Sequence, residues 1–398
     1  MANKPKKKKL MMAPAFNRQA VSSVFKAAAS KEKIITFNLP KVSWPDNLQP
    51  VMTELANYSR GITIKKAIQA QTDVLIILYT NQETQALLDV FTNSKIWSEK
   101  TKKSWYPYGH NFSKYESEIQ HQKTNALKNK IWGYLLPLTI GTKKVMLYKT
   151  ELHPKSNGTK IPFIPVIKQL VSELSPSLVI STGTAGAIGL KLNCGDVVVT
   201  GKSRLHVRDH YPSFPELNSL STNNKEIANK VTINKKYILH AQKNFLKLSL
   251  DGLHKCFEEF NGKEGYSFLK KNTKAPKIYA EGITKVPGNK AMDIVSADYI
   301  TVDDKIDTEG LQELGSMNDT DDAFAFYAIS KIKGKKPKCI SVRNASEPEV
   351  VAQFDPNDSP AKKISKLGHV AGPIYGVYQY CTTICSAFAC WGVVAGMN

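Results

Sequence analysis

The sequence is poor in cysteine and in acidic residues, and each shortage excludes something. Its six cysteines, Cys194, Cys256, Cys339, Cys381, Cys385 and Cys390, form no Cys-x-x-Cys pair, and no histidine lies near them at zinc-ligand spacing. A structural zinc module and a disulfide-built scaffold are therefore excluded, and no metal or cofactor is expected. So few scattered thiols in 398 residues fit a reduced, cytoplasmic protein. No secretory leader is expected, since Leu10 to Phe16 reads as too short and too interrupted for its apolar region. No internal repeat is visible. Pro373 to Met397 carries no charge, but Gln379, Thr382, Thr383, Ser386 and three glycines leave it weakly apolar for a membrane span. A buried C-terminal helix over 373–397 is expected instead, and no membrane partner.

Acidic residues number 34 against 55 Lys and Arg, giving a formal net charge of +21. Lys4, Lys6, Lys7, Lys8 and Lys9 supply five of these charges, so the excess extends over the body. A basic body attracts nucleic acid, anionic membranes or phosphorylated small molecules, and it equally serves solubility. Binding of nucleic acid through the basic arm is not the favoured expectation.

The order of apolar runs predicts the organisation. Residues 1–45 read as a basic, flexible arm and 46–398 as one catalytic domain. Val74 to Tyr79 is a continuous apolar run, as in strands covered on both faces. Helical spacing follows over Glu83 to Phe91, with Ala86, Leu87, Val90 and Phe91 on its apolar face. Tyr134–Ile140 and Lys143–Tyr148 read as strands joined by Gly141-Thr142, and Pro165–Leu174 as a helix. Leu178–Ser181, Asp196–Thr200, Lys277–Glu281, Asp298–Val302 and Cys339–Val342 read as further strands, and Thr320–Lys333 as a helix. Insertions are expected near 95–130, on the surface, and near 225–275. Alternating strands and helices predict a three-layer α/β domain with a central mixed, twisted sheet flanked by helices.

Four polar segments follow or flank buried strands, the edge where open α/β sheets bind ligands. Ser181-Thr-Gly-Thr-Ala-Gly186 reads as a glycine loop whose N–H groups can approach a ligand; it lacks the Gly-Lys-Ser/Thr of a Walker A loop. Thr80-Asn-Gln-Glu83 places a carboxylate at a strand-to-helix junction, either as a helix-start residue or as a general base. Gly315 to Asp322 combines helix-start residues with Met317 and Asn318. Ser341-Val-Arg-Asn-Ala-Ser-Glu-Pro348 follows the last strand and is costly to place without a reason.

Taken together, these segments resemble the nucleoside phosphorylase/nucleosidase superfamily. The resemblance rests on Gly183-Thr-Ala-Gly186 followed by Gly195-Asp-Val-Val-Val199, on Arg204-Leu-His206, on Met317-Asn318 and on Val342-Arg-Asn-Ala-Ser-Glu347, across residues 72–395. It implies cleavage of the N-glycosidic bond of a purine nucleoside or nucleotide by a homo-oligomeric enzyme. Glu347 stands where the family has an Asp acid, and Glu83 where hydrolytic relatives place a water-activating Glu. Asn318 replaces the family's ribose-binding Glu. Thr184, Ala185, Gly186, Met317, Arg343, Asn344 and Ser346 fall at substrate-binding positions, and Tyr299 is a candidate to stack on the base. Arg204, His206 and Arg208 would hold a 5′-phosphate. Thr80 to Glu83 lacks the family's phosphate-binding Gly-Asp, which favours hydrolysis, with phosphorolysis the alternative. A nucleotide-sensing or nucleic-acid-binding protein on an inactive enzyme scaffold is the rival from another class.

Overall fold

A computed structural model describes residues 42–45, 47–55, 72–92, 105–119, 124–154, 162–189, 191–207, 211, 214–243, 276–297, 310–347, 357 and 360–397, with no side chains for 360–374 and 377. Among these residues, thirteen strands form one mixed sheet. The strands are β1 (Pro50–Met52), β2 (Val74–Leu78), β3 (Tyr106–Tyr108), β4 (Gly133–Ile140), β5 (Lys143–Thr150), β6 (Leu178–Ala187), β7 (Val197–Thr200), β8 (Lys202–His206), β9 (Glu226–Ala228), β10 (Ile278–Ala280), β11 (Ile294–Ala297), β12 (Met317–Asp319) and β13 (Lys338–Glu347). The helices that matter for the site are α1 (Asn81–Thr92), α2 (Phe163–Leu174), α3 (Pro215–Thr222), α4 (Asp322–Ser330) and α5 (Pro360–Ala395). The class is α/β, as the alternation of runs predicts.

β2 explains the layering. All five of its residues are fully buried. Val74, Ile76 and Leu78 pack with α1 and α5, while Leu75 and Ile77 pack with α2 and α4. Side chains alternate along a strand, so a strand covered on both sides must be apolar at every position. Each such aliphatic side chain contributes about 1.5–3 kcal/mol by leaving water. α5 is buried nearly all round from Tyr378 to Val394, as a helix inside a core must be. Its Trp391 indole donates to the Leu48 carbonyl at 2.8 Å. No helix among the described residues is long and apolar enough to cross a membrane.

The sheet forks at β6. Its first half pairs in parallel with β2, its last two residues pair antiparallel with β12, and β13 runs parallel along its other side. β12, β11 and β8 then continue the sheet in register. This fork carries the carboxyl ends of β2, β6 and β13 to one edge.

Several expectations are corrected. Ser181–Gly186 is not a loop but the second half of β6, held by β13 from Ser181↔Ser341 to Gly186↔Glu347. Likewise Arg343–Glu347 continues β13 instead of following it. Polar and glycine residues mimic a loop in sequence, but here both strands are buried and pair with each other. A strand also lies at Ile294–Ala297, just before the Asp298–Val302 run, which falls outside the described residues. The 95–130 segment, expected on the surface, buries Trp105, Tyr108 and Phe112, with Phe112 stacked on Trp132. Cys194, Cys339, Cys385 and Cys390 are free and buried, whereas Cys381 is disulfide-bonded, a departure from the fully reduced state expected.

Candidate active site

Glu83 enters the site through a helix start. Thr80 Oγ1 accepts from the Glu83 N–H at 3.2 Å, and Glu83 Oε2 accepts from the Thr80 N–H at 2.9 Å. This reciprocal pair is a capping box, and it fixes the carboxylate at the carboxyl end of β2. Its other oxygen, Oε1, accepts from both the N–H and the Oγ1 of Thr184, each at 2.8 Å. The backbone donor expected to face a ligand is thus bonded to the chain's own carboxylate. Gly183 permits this approach: a Cβ there would lie 2.6 Å from Glu83 Oε1 and 3.0 Å from Arg343 Nη1.

Arg343 is the centre of the cluster and is 1% exposed. Its Nε and Nη2 form a fork onto Asp322, at 3.0 and 2.5 Å. Nη2 also lies 3.0 Å from Asp319 Oδ2, and Nη1 lies 3.7 Å from Asp321 Oδ2 and donates to the Thr184 carbonyl at 3.1 Å. The guanidinium sits 5.0 Å from the centre of the Tyr79 ring, whose hydroxyl shares a hydrogen bond with Ser181 Oγ at 2.7 Å. Burial opposes the Arg343 charge, but Asp322 and then Asp319 outweigh it and hold its pKa well above the usual range. Asp319 itself is pushed well up by burial and by Asp322, against the pull of Arg343. Burial, with Glu83 and Asp322, raises Asp321 to about 7 despite Arg343.

Glu347 closes the site from β13. A bulge between Ala345 and Glu347 re-aims the end of the strand, as bulges do at functional edges. The carboxyl is 3% exposed. Burial raises its pKa to about 7; the hydrogen bond from Ser346 Oγ works against this rise, and the Glu83 charge adds to it. Glu347 and Asn318 both pair in register with Gly186, from opposite sides. Three strands thus bring a carboxyl, a carboxamide and a glycine into one row. Asn318 is fully buried and its amide donates to the Val295 carbonyl at 3.1 Å; Met317 beside it pairs with Ala187.

Some sequence-predicted residues do not converge here. Asn344 faces α5, opposite Arg343, as strand alternation requires; its amide donates to the Gly183 carbonyl at 2.9 Å and to Ser386 Oγ at 3.0 Å. Arg204 directs its guanidinium to Asp293 at 2.6 Å, Glu226 at 3.1 Å and the Asn224 carbonyl at 2.8 Å. His206 Nδ1 bonds Asn224 Oδ1 at 2.7 Å. These donors are engaged within the protein, two or more strands from Gly186. Tyr299 and Arg208 lie outside the described residues.

Sequence reasoning passed over Asp321, Asp322 and His153. In sequence the Asp residues read as ordinary helix-start chemistry, and Asp319 does accept from the Asp322 N–H at 2.9 Å. Three Asp within four residues, against one Arg at a strand end, exceeds what capping needs. That excess was the available signal. His153, in the segment after β5, gave none.

No protein-family model and no curated protein sequence matches the chain. Among solved structures, it is similar to the 5′-methylthioadenosine/S-adenosylhomocysteine nucleosidase of Neisseria meningitidis, crystallised with methylthio-immucillin-A. Identity there is 14%, the TM-score is 0.41, and the match covers 82% of this chain and 100% of that one. It is similar to the Helicobacter pylori nucleosidase of the same name, at 11% identity and TM-score 0.42, over 82% and 99% of the two chains. Futalosine hydrolase of Helicobacter pylori matches at 11% identity and TM-score 0.39, over 81% and 97%. These likenesses concern the path of the chain and assign no residue.

Proposed function

We propose that the chain hydrolyses the N-glycosidic bond of a purine nucleoside or nucleotide and releases the free base. The observation that carries this is Glu347, a buried carboxyl whose pKa stands at about 7, in register with Gly186 and Asn318. A leaving purine must gain a proton, and a carboxylic acid still protonated near neutrality supplies it efficiently. Glu83 is the base that takes a proton from water, Asn318 bonds the sugar hydroxyls, and Thr184, Ala185, Gly186, Met317 and Ser346 shape the pocket. Arg343 is a positioning residue, since its donors are directed to Asp322, Asp319 and Thr184.

Hydrolysis is favoured over phosphorolysis because the Thr184 donors already hold an anion, the Glu83 carboxylate. A phosphate there would have to displace it beside further buried acids, and like charges in one site repel. Both carboxyls are nearly fully buried, so substrate entry requires the edge to open.

The test incubates the purified protein with a panel of purine nucleosides and nucleotides, with and without phosphate, and follows free base. Release without phosphate supports the proposal. Release only with phosphate assigns a phosphorylase. No release on any substrate, together with salt-sensitive nucleic-acid binding, would establish the inactive-scaffold rival.

A further inference from the structure

The lysine excess gathers at one place far from the candidate site. Lys331-Ile-Lys-Gly-Lys-Lys-Pro-Lys338, between α4 and β13, holds five lysines in eight residues and no acid. All five lysines are exposed, whereas Ile332 and Pro337 are buried and anchor the segment. Gly334 makes the turn between these anchors, with φ +83 and open space where its Cβ would lie. The lysines thus stand on a loop with a fixed footing. Charge that serves solubility alone mixes both signs; this loop carries one.

The loop lies at the amino edge of the sheet, opposite the carboxyl edge that holds Glu83 and Glu347. Lys338, Leu178, Val74 and Val145 stand in one register row across β13, β6, β2 and β5. At about 4.8 Å between strands, Lys144 at the start of β5 lies roughly 14 Å along this edge from Lys338. Two of the lysines have local roles: Lys331 Nζ pairs with Glu216 of α3 at 2.8 Å, and Lys336 Nζ donates to the Ser330 carbonyl at the end of α4. Asp73, just before β2, accepts from the Lys144 N–H at 2.8 Å. Among the described residues, nothing pairs the ammonium groups of Lys144, Lys333, Lys335 and Lys338.

We infer that this edge binds duplex nucleic acid through its phosphates, without regard to base sequence. Unpaired ammonium groups spread along a surface match a dense row of phosphates, and each contact releases a counterion. Single strands are held chiefly by stacking on exposed aromatic rings, but Tyr327, which borders the loop, is 4% exposed and lies beneath Lys331 Nζ at 5.0 Å. Stable adhesion to an anionic membrane adds an inserted apolar group to the lysines, and here Ile332 and Pro337 are turned inward. The carboxyls at the opposite edge leave that edge facing away from a bound polyanion. The inference is independent of the reaction proposed above.

The test measures fluorescence anisotropy of labelled duplexes of DNA and of RNA, in several unrelated sequences, with the full chain over a range of salt concentrations. The wild-type protein binds all sequences of one duplex type alike, and its affinity falls as salt rises. Lys333→Gln, Lys335→Gln and Lys338→Gln together weaken binding by about 100-fold near 0.1 M salt and flatten the slope of log affinity against log salt by about 3. Arg at the same three positions keeps both affinity and slope, which separates loss of charge from loss of fold. Unchanged affinity and slope in the Gln variant overturn the inference. So does binding that is lost only when Lys4, Lys6, Lys7, Lys8 and Lys9 are replaced by Gln, since the grip would then belong to the amino-terminal lysines. Sedimentation with phosphatidylserine-containing vesicles at salt that abolishes duplex binding would assign a membrane surface instead.

Discussion

Replacing Glu347 by Gln separates what the residue costs the fold from what it gives the chemistry. Its carboxyl has an ordinary value of 4.5 and stands at about 7 in the folded chain, chiefly because burial penalises the charged form. The folded state therefore holds a proton that the unfolded chain releases between these two values. Stability falls as pH rises across that window and is fully reduced above about 7. At about 1.4 kcal/mol per tenfold change in proton affinity, the full cost is about 3 kcal/mol. Gln has nearly the same shape, never ionises, and can still accept from Ser346 Oγ. Denaturant unfolding should thus find Glu347→Gln about 3 kcal/mol more stable than wild type at pH 8 and no different at pH 4. Base release should show the reverse. In the wild type it declines above about pH 7 as the acid loses its proton, and in the variant it is low at every pH. Equal stability differences at both pH values would refute the burial argument, and undiminished turnover would remove Glu347 as the acid.

Four further variants test the surrounding geometry. Arg343→Met leaves Asp319, Asp321 and Asp322 buried without their cation and should cost about 3–5 kcal/mol in urea unfolding, more at high pH than at low; a loss below about 1 kcal/mol would show that the acids are compensated elsewhere. Gly183→Ala puts a methyl group 2.6 Å from Glu83 Oε1, so base release should fall about 100-fold in a protein that remains folded by circular dichroism. Glu83→Gln should lower kcat by about 10²–10⁴-fold, whereas Thr80→Ala removes one helix cap and costs about 1 kcal/mol of stability; equal effects of the two on kcat would reduce Glu83 to a capping residue.

The fold was legible where burial dictates composition. Val74–Leu78, Tyr134–Ile140 and Lys143–Tyr148 are strands because their apolar runs admit little else, and α1 and α4 follow from helical spacing. Legibility failed where strands carry polar side chains. Thr182–Gly186 and Arg343–Glu347 read as loops because no local pattern reveals that each satisfies the other's backbone across the sheet. β12, with Met317, Asn318 and Asp319, is three residues long, too short for any period to register. The candidate site shows the same division. Glu83 is a candidate by its place after a strand and Glu347 by the family resemblance, but the Arg343 cluster depends on Asp residues brought across from the start of a helix. His153 reaches Asp321 over a separation of 168 positions, a meeting that only tertiary structure provides.

The charge pattern of the site also bears on which substrates it can take. The chain is strongly basic, yet five carboxyls, those of Glu83, Asp319, Asp321, Asp322 and Glu347, are buried in the candidate site, the three Asp around Arg343. Cleaving a glycosidic bond builds positive charge on the sugar, and whichever of these groups is ionised in the dry site stabilises that charge more than it would in water. An ionised carboxyl there also repels an anion at the reacting centre. Lysines on the surface can raise the local concentration of a nucleotide, but they cannot seat its phosphate beside Gly186. On the proposed reading, a 5′-phosphate must therefore lie away from the carboxyl row. Arg204, at the register position beyond Val295, cannot hold it there without giving up Asp293 or Glu226. The uncharged nucleoside is thus the substrate that this distribution of charge favours.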